Sequence, residues 1–273
     1  MKKVTVYAGR LNFTFEKTVT NPEKIERENI IKMVSKNENL AEDEDFFWRF
    51  GGIRILENKN IILGRVGKIR KSRLMTEFDD KTNDFIEKKT DIKFAYSSNF
   101  CIFLDKNLIL FERKFGIGFM EIKNKIEEIF TDMCKIEMEI ELLKDKKEVM
   151  KIIQESDKLI EIDFSIRPTN PDSDEDMKVI DNLLKQSKAK KARMKFENKI
   201  EGLETKEKNI ISSGIALCSK GYGSYRIKAK KGDRETTIDS VKKIIKESEV
   251  PPKHGEELEF FFKVLKAINK RLA

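Results

Sequence analysis

Lys158-Leu159-Ile160-Glu161-Ile162-Asp163-Phe164-Ser165-Ile166 sets Ile160, Ile162, Phe164 and Ile166 on one side of an extended chain, with Glu161, Asp163 and Ser165 on the other. A period of two marks a strand with one buried and one wet face. The pattern recurs outward in both directions. Upstream, Ile136, Met138, Ile140 and Leu142 alternate with Glu137, Glu139 and Glu141; downstream come Ala192, Met194 and Phe196, then Tyr225, Ile227 and Ala229. Helical spacing fills the gaps: about Lys146 to Glu155; a run carrying Met177, Ile180, Leu183 and Leu184; and Ile210, Ile211, Gly214 and Leu217, capped by Thr205 and stopped by Gly221. The order is β-α-β-α-β-α-β, with every strand apolar on one face only. Helices then cover one side of a sheet and leave the other open. The expected fold is α+β, a two-layer ferredoxin-like sandwich whose first strand lies between the third and fourth. Two more helices are expected after it, Ser240–Ser248 and, beyond Pro251-Pro252, an amphipathic one with Leu258, Phe261, Phe262, Leu265, Ile268 and Leu272.

Upstream of this block the chain reads as strand-rich. Val4–Phe15 is a strand, and Asn21-Pro22 opens a helix to about Ser35. Phe46–Ile55 and Lys59–Arg70 pair around Glu57-Asn58-Lys59-Asn60, and Asn99–Leu104 and Leu108–Lys114 pair around Asp105-Lys106-Asn107. A helix over Phe119–Asp132 follows. At 273 residues two domains are expected: a mixed-sheet domain over 1–131, and the sandwich with its two C-terminal helices over 132–273.

Nineteen Phe against one Trp and four Tyr mark the aromatics as packing units, since Phe brings no polar group to a wet surface. Cys101, Cys134 and Cys218 are far apart, odd in number and set in apolar stretches, which argues against a disulfide framework and a thiolate zinc site. The start, Met1-Lys2-Lys3-Val4-Thr5-Val6-Tyr7, enters a strand pattern without a signal-type apolar run, and no stretch is long enough to span a bilayer. A cytoplasmic protein with no membrane partner is expected.

The net charge is +8, from 56 Lys and Arg against 48 Asp and Glu, so its distribution matters more than its size. The first two strands of the block expose acids, and the last two expose Lys191, Arg193 and Lys195, then Arg226, Lys228 and Lys230. Lys185, Lys188 and Lys190 extend the basic stretch upstream, and Lys231 and Arg234 do so after the fourth strand. One reading is a basic face that tracks a phosphate backbone, with Tyr222 or Tyr225 stacking on a base. The other is an ion-paired open face in which Glu137, Glu139 and Glu141 neutralise the basic rows across strands. The ring positions of a ribonucleoprotein-type sheet hold Arg193 and Lys195 instead of aromatics.

Catalytic signals are sparse. His254 is the one histidine, in a Pro-Pro-Lys-His-Gly-Glu turn, which excludes two-histidine chemistry. Asp172 with Glu197 and Lys199 has the outline of a metal-dependent nuclease, two carboxylates for Mg²⁺ and a lysine beside the attacking water, but a helix separates the pieces. Gly116-Ile117-Gly118 follows a strand and opens a helix, yet Glu121 stands where a dinucleotide loop has its third glycine. Phe260-Phe261-Phe262 is either core or a docking stripe on the last helix.

The segment Ile166-Arg167-Pro168-Thr169-Asn170-Pro171-Asp172 and the turn Lys220-Gly221-Tyr222-Gly223 resemble uncharacterised prokaryotic proteins of similar length found near host-defence and mobile-element genes. The resemblance assigns no family and transfers no functional residue; it implies an antiviral setting. The expected function is nucleic-acid binding, RNA first, non-catalytic or weakly catalytic and without a cofactor. The contact surface is Lys188, Lys190, Lys191, Arg193, Lys195, Tyr225, Arg226, Lys228 and Lys230. Two alternatives stand beside it: a Mg²⁺-dependent nuclease or toxin, and an assembly protein that self-associates or docks a protein partner through Phe260–Leu272.

Overall fold

The computed structural model describes residues 3–14, 40–56, 60–70, 73–79, 83–90, 95–134, 137–169, 175, 177–205 and 209–272. The chain is mixed α+β, with a curled antiparallel sheet plus a second sheet. The helix expected over 21–35 lies outside the described residues, as does Asp172. The chain divides into two units, one of residues 1–14, 105–110 and 138–273, the other of residues 15–104 and 111–137.

In the second of these units β2 (Leu40–Glu42), β3 (Phe46–Leu56), β4 (Ile61–Arg70) and β7 (Ala95–Phe103) pair antiparallel in the order β7-β4-β3-β2. β5 (Arg73–Asp79) and β6 (Asp84–Thr90) form a separate hairpin that the sequence reading passed over. Asn60 and Asn107 take the left-handed conformation at the two turns read from sequence, which Asn tolerates better than most residues. β8 (Leu108–Arg113) leads to α1 (Phe119–Cys134). Ile122, Ile126, Ile129 and Phe130 of α1 are buried with Trp48, Ile62 and Phe100, and Phe50 lies 5.2 Å from Phe100 and 5.3 Å from Phe130, ring to ring.

The other unit holds β1 (Val4–Thr14), β9 (Glu137–Leu142), α2 (Lys146–Gln154), β10 (Lys158–Ile166), α3 (Lys178–Gln186), β11 (Ala192–Glu197), α4 (Ile210–Ser219), β12 (Gly223–Lys231), β13 (Arg234–Asp239), β14 (Lys246–Glu249) and α5 (Glu257–Leu272). Its second sheet is antiparallel, in the order β11-β10-β12-β13. One face carries Ile162, Phe164, Ile166, Tyr225, Ile227 and Ile238, packed with residues of α2, α3 and α4 in one apolar cluster. One covered face and one charged face match the alternation.

The strand membership does not match. β9 pairs with β1 and leaves the second sheet, so the ferredoxin-like placement of Ile136–Leu142 between the third and fourth strands is not the one formed. Alternation says that a strand has one buried face, not which sheet supplies the cover. Gly9 of β1 favours the observed pairing, because a Cβ there would lie 2.5 Å from Ile140 Cγ2. The fourth place is taken by β13, joined to β12 through a turn in which Gly232 has φ +57°. The helix expected over Ser240–Ser248 is instead a 3-10 turn (Ser240–Lys243) followed by β14, which pairs with β1.

Helix ends were read with mixed success. α4 does stop at Gly221, whose φ is +81°, and Tyr222 N–H donates to Leu217 O in the Schellman pattern. Its N-cap is Asn209, in a reciprocal box with Ser212, and not Thr205. Leu183, expected in the core, is 51% exposed on α3, since the core-facing stripe is Ile180 and Leu184. On α5, Phe260, Phe261, Val264, Leu265 and Ile268 are buried, which is the core reading of that helix; Phe262 is partly exposed.

Candidate nucleic-acid interface

β10 is the middle of the charged face. Its register sets Glu161 across from Glu197 on one side and Lys228 on the other, and Asp163 across from Lys195 and Arg226. The side chains close these pairs. Lys195 Nζ and Lys228 Nζ each lie 3.1 Å from Glu161 Oε2. Arg193 donates from Nε and Nη2 to the two oxygens of Asp163, at 3.1 and 2.5 Å. Arg226 Nη2 is 3.6 Å from Asp239 Oδ2, and Lys230 stands across from Glu235. Arg193, Lys195, Arg226, Lys228 and Lys230 on this face are thus matched in number by Glu161, Asp163, Glu197, Glu235 and Asp239. The ion-paired reading holds for Arg193, Lys195, Arg226 and Lys228, with different acids from those expected. Glu139 and Glu141 are engaged elsewhere, by Arg167 and by the buried Lys144.

Pairing leaves a mark on the acids. The hydrogen bond from Arg193 holds the Asp163 carboxyl below its ordinary range. Those from Lys228 and then Lys195 do the same for Glu161. Solvent screens exposed pairs of this kind, so the pattern fixes register and solubility more than stability.

One end of this sheet is not neutralised. Lys188, Lys190 and Lys191 are exposed and make no ion pair among the described residues. They sit on the turn after α3, where Ser187 is the C-cap, Lys188 takes φ +54° and Ala189 N–H donates to Leu184 O. Ala189 tucks against the apolar cluster and leaves the lysines on either side outward. The turn runs into Ala192, paired with Ile166 at the end of β10. A cleft of about 300 Å³ opens near this end, lined by Arg193 and Arg226, the acids Asp163 and Asp239, the serines Ser165, Ser224 and Ser240, and Tyr225 and Val241. The side chains of Arg193 and Arg226 stay 78% and 64% exposed despite their partners. Lys230 lies at the far end, across from Lys158.

Other expected site residues fall elsewhere. Tyr225 cannot stack on a base: its ring is buried with Phe164 and Ile227, its hydroxyl has no hydrogen-bond partner, and burial pushes its pKa up. Tyr222 is buried too, beneath the Arg10 guanidinium at 4.6 Å. Glu197 takes Lys199 at 2.9 Å and Lys195 at 3.4 Å. Among the described residues no three His, Cys, Asp or Glu side chains gather to hold a metal ion. His254 is exposed in its turn. Glu121 caps its own helix, accepting from Gly118 N–H and pairing with Lys68 at 2.5 Å. Cys101 and Cys218 are free and buried, and burial pushes the Cys218 thiol up to about 12. No helix among the described residues is long and apolar enough to cross a membrane.

The sequence reading missed Asp239 and Ser240 because it missed β13 and the 3-10 turn after it. The signal was present in Lys231-Gly232-Asp233, a turn between two alternating runs.

A family model described as "Domain of unknown function (DUF4747)" matches residues 4–269. None of the curated proteins matches the chain.

Proposed function

We propose, for a chain that belongs to the DUF4747 family, that it binds nucleic acid, RNA in the first instance, through the Lys188–Lys191 turn and the adjoining cleft. The observation that carries this reading is the outward Lys188, Lys190 and Lys191, unpaired among the described residues, beside the exposed guanidiniums of Arg193 and Arg226. Cations without a partner release counterions when a phosphate replaces them, whereas cations already paired gain little. The contact surface is therefore narrower than the full basic rows: Lys195 and Lys228 serve Glu161, the unpaired turn serves the ligand, and Arg193 and Arg226 add the guanidinium N–H groups that their acids leave exposed. The hydroxyls of the half-buried Ser165 and Ser224 supply donors to phosphate or sugar oxygens. The activity proposed is binding, not cleavage. A role in host defence belongs to the same proposal and rests on the resemblance of 166–172 and 220–223 alone.

The test is binding of labelled single- and double-stranded RNA and DNA between about 50 and 200 mM salt, with Mg²⁺ and Mn²⁺ lanes read for cleavage. Binding that weakens steeply with salt is the expected result. Absence of binding at the lowest salt overturns the proposal, and cleavage in the metal lanes replaces it with the nuclease reading.

A further inference from the structure

Phe115 is the most exposed large apolar side chain among the described residues, at 88%. It is displayed by a fixed turn. Ile117 N–H donates to Lys114 O at 3.3 Å, and Ile117 is buried as the anchor. Gly116 has φ +87°, and a Cβ on it would lie 2.6 Å from the Tyr96 ring, so the backbone of the turn lies against that ring. Tyr96 itself is 41% exposed. Glu121 accepts from Gly118 N–H just ahead of α1. Phe115 is not an apolar side chain scattered singly, because the exposed Tyr96 ring lies against the same turn.

The neighbours of the ring are cationic. Arg113 is exposed and has no ion-pair partner among the described residues, and Lys114 is half-exposed with Nζ 3.2 Å from the buried Glu112. An aromatic ring flanked by cations complements a strand of unpaired bases, which offers π-faces joined by phosphates. We propose that Phe115, with Tyr96 behind the turn, is a stacking platform for a base of single-stranded nucleic acid, with Arg113, unpaired among the described residues, at its phosphate. The inference rests on the nucleic-acid reading above and adds a second contact of its own, in a different unit of the chain.

The experiment uses the full chain, an oligouridylate and a duplex RNA of equal length. Phe115→Ala weakens single-strand binding about 5- to 100-fold, leaves duplex binding unchanged and keeps the salt slope, because stacking releases no counterions. Phe115→Trp keeps the affinity, and its new fluorescence, beside that of the buried Trp48, is quenched by the oligonucleotide. If the wild-type chain binds RNA and Phe115→Ala binds it equally well, the stacking platform is overturned and the basic-turn reading stands. If the wild-type chain binds no nucleic acid, both fall. If Phe115→Ala instead turns a multimer into a monomer without weakening RNA binding, the ring is a contact between copies and the platform is overturned.

Discussion

Asp181 is fully buried on α3, where its carboxylate accepts from Thr169 N–H at 2.6 Å and Thr169 Oγ1 at 2.7 Å and pairs with Lys185 Nζ at 2.9 Å. It ties the start of the loop after β10 to the helix that ends in the basic turn. Asp181→Ala leaves a buried N–H and a hydroxyl without an acceptor, and a stability loss of about 3 kcal/mol by urea unfolding is expected. Lys144 is buried in a comparable way, donating to Gly223 O at 2.6 Å and to Glu141, and so holds the first residue of β12. These groups were invisible in the sequence, where Asp181 and Lys144 look like any other charges. Burial of a charge is a tertiary property, and no local spacing announces it.

At the scale of elements, α4 packs closely on β10. A Cβ on Gly214 would lie 2.7–2.9 Å from three ring atoms of the fully buried Phe164. Gly214→Ala should therefore cost about 1–3 kcal/mol although Ala is the better helix former, and a raised midpoint in thermal unfolding would refute this packing. The periodicity of β10, β11 and β12 and of their helices was legible because each covers one apolar face. The hairpin partner β13 was not, since Arg234, Thr236 and Ile238 make a weak stripe on an edge strand. β14 was mistaken for helix because Lys246-Glu247-Ser248-Glu249 is polar on both faces and takes its order from pairing with β1. Missing β13 also hid the Asp239, Ser240 and Val241 side of the cleft. The basic rows were legible as residues but not as pairs, because pairing depends on which strand sits in the middle of the sheet.

For the whole molecule, the excess of eight positive charges is spread over a surface where many cations already have partners. Glu161, Asp163 and Glu197 are all held below their ordinary carboxylate values by hydrogen bonds from Lys228, Arg193 and Lys199 respectively. A depressed folded value means stabilisation that is present above the unfolded value of about 4 and is lost as pH falls through the folded value. Urea midpoints should then be flat from about pH 7 to 5 and decline below about pH 4. A midpoint that rises on acidification would show these acids to be strained instead of paired.

On the proposed function, Lys195 and Lys228 are spent on Glu161 and the Lys188–Lys191 turn is left for the ligand. The direct measurement is the slope of log Kobs against log salt for RNA binding by three proteins: wild type, Lys188→Gln/Lys190→Gln/Lys191→Gln, and Lys195→Gln/Lys228→Gln. The expected slope is shallower by about 2–3 for the turn variant and unchanged for the row variant. A row variant with the shallower slope, beside a turn variant that binds like wild type, would contradict it.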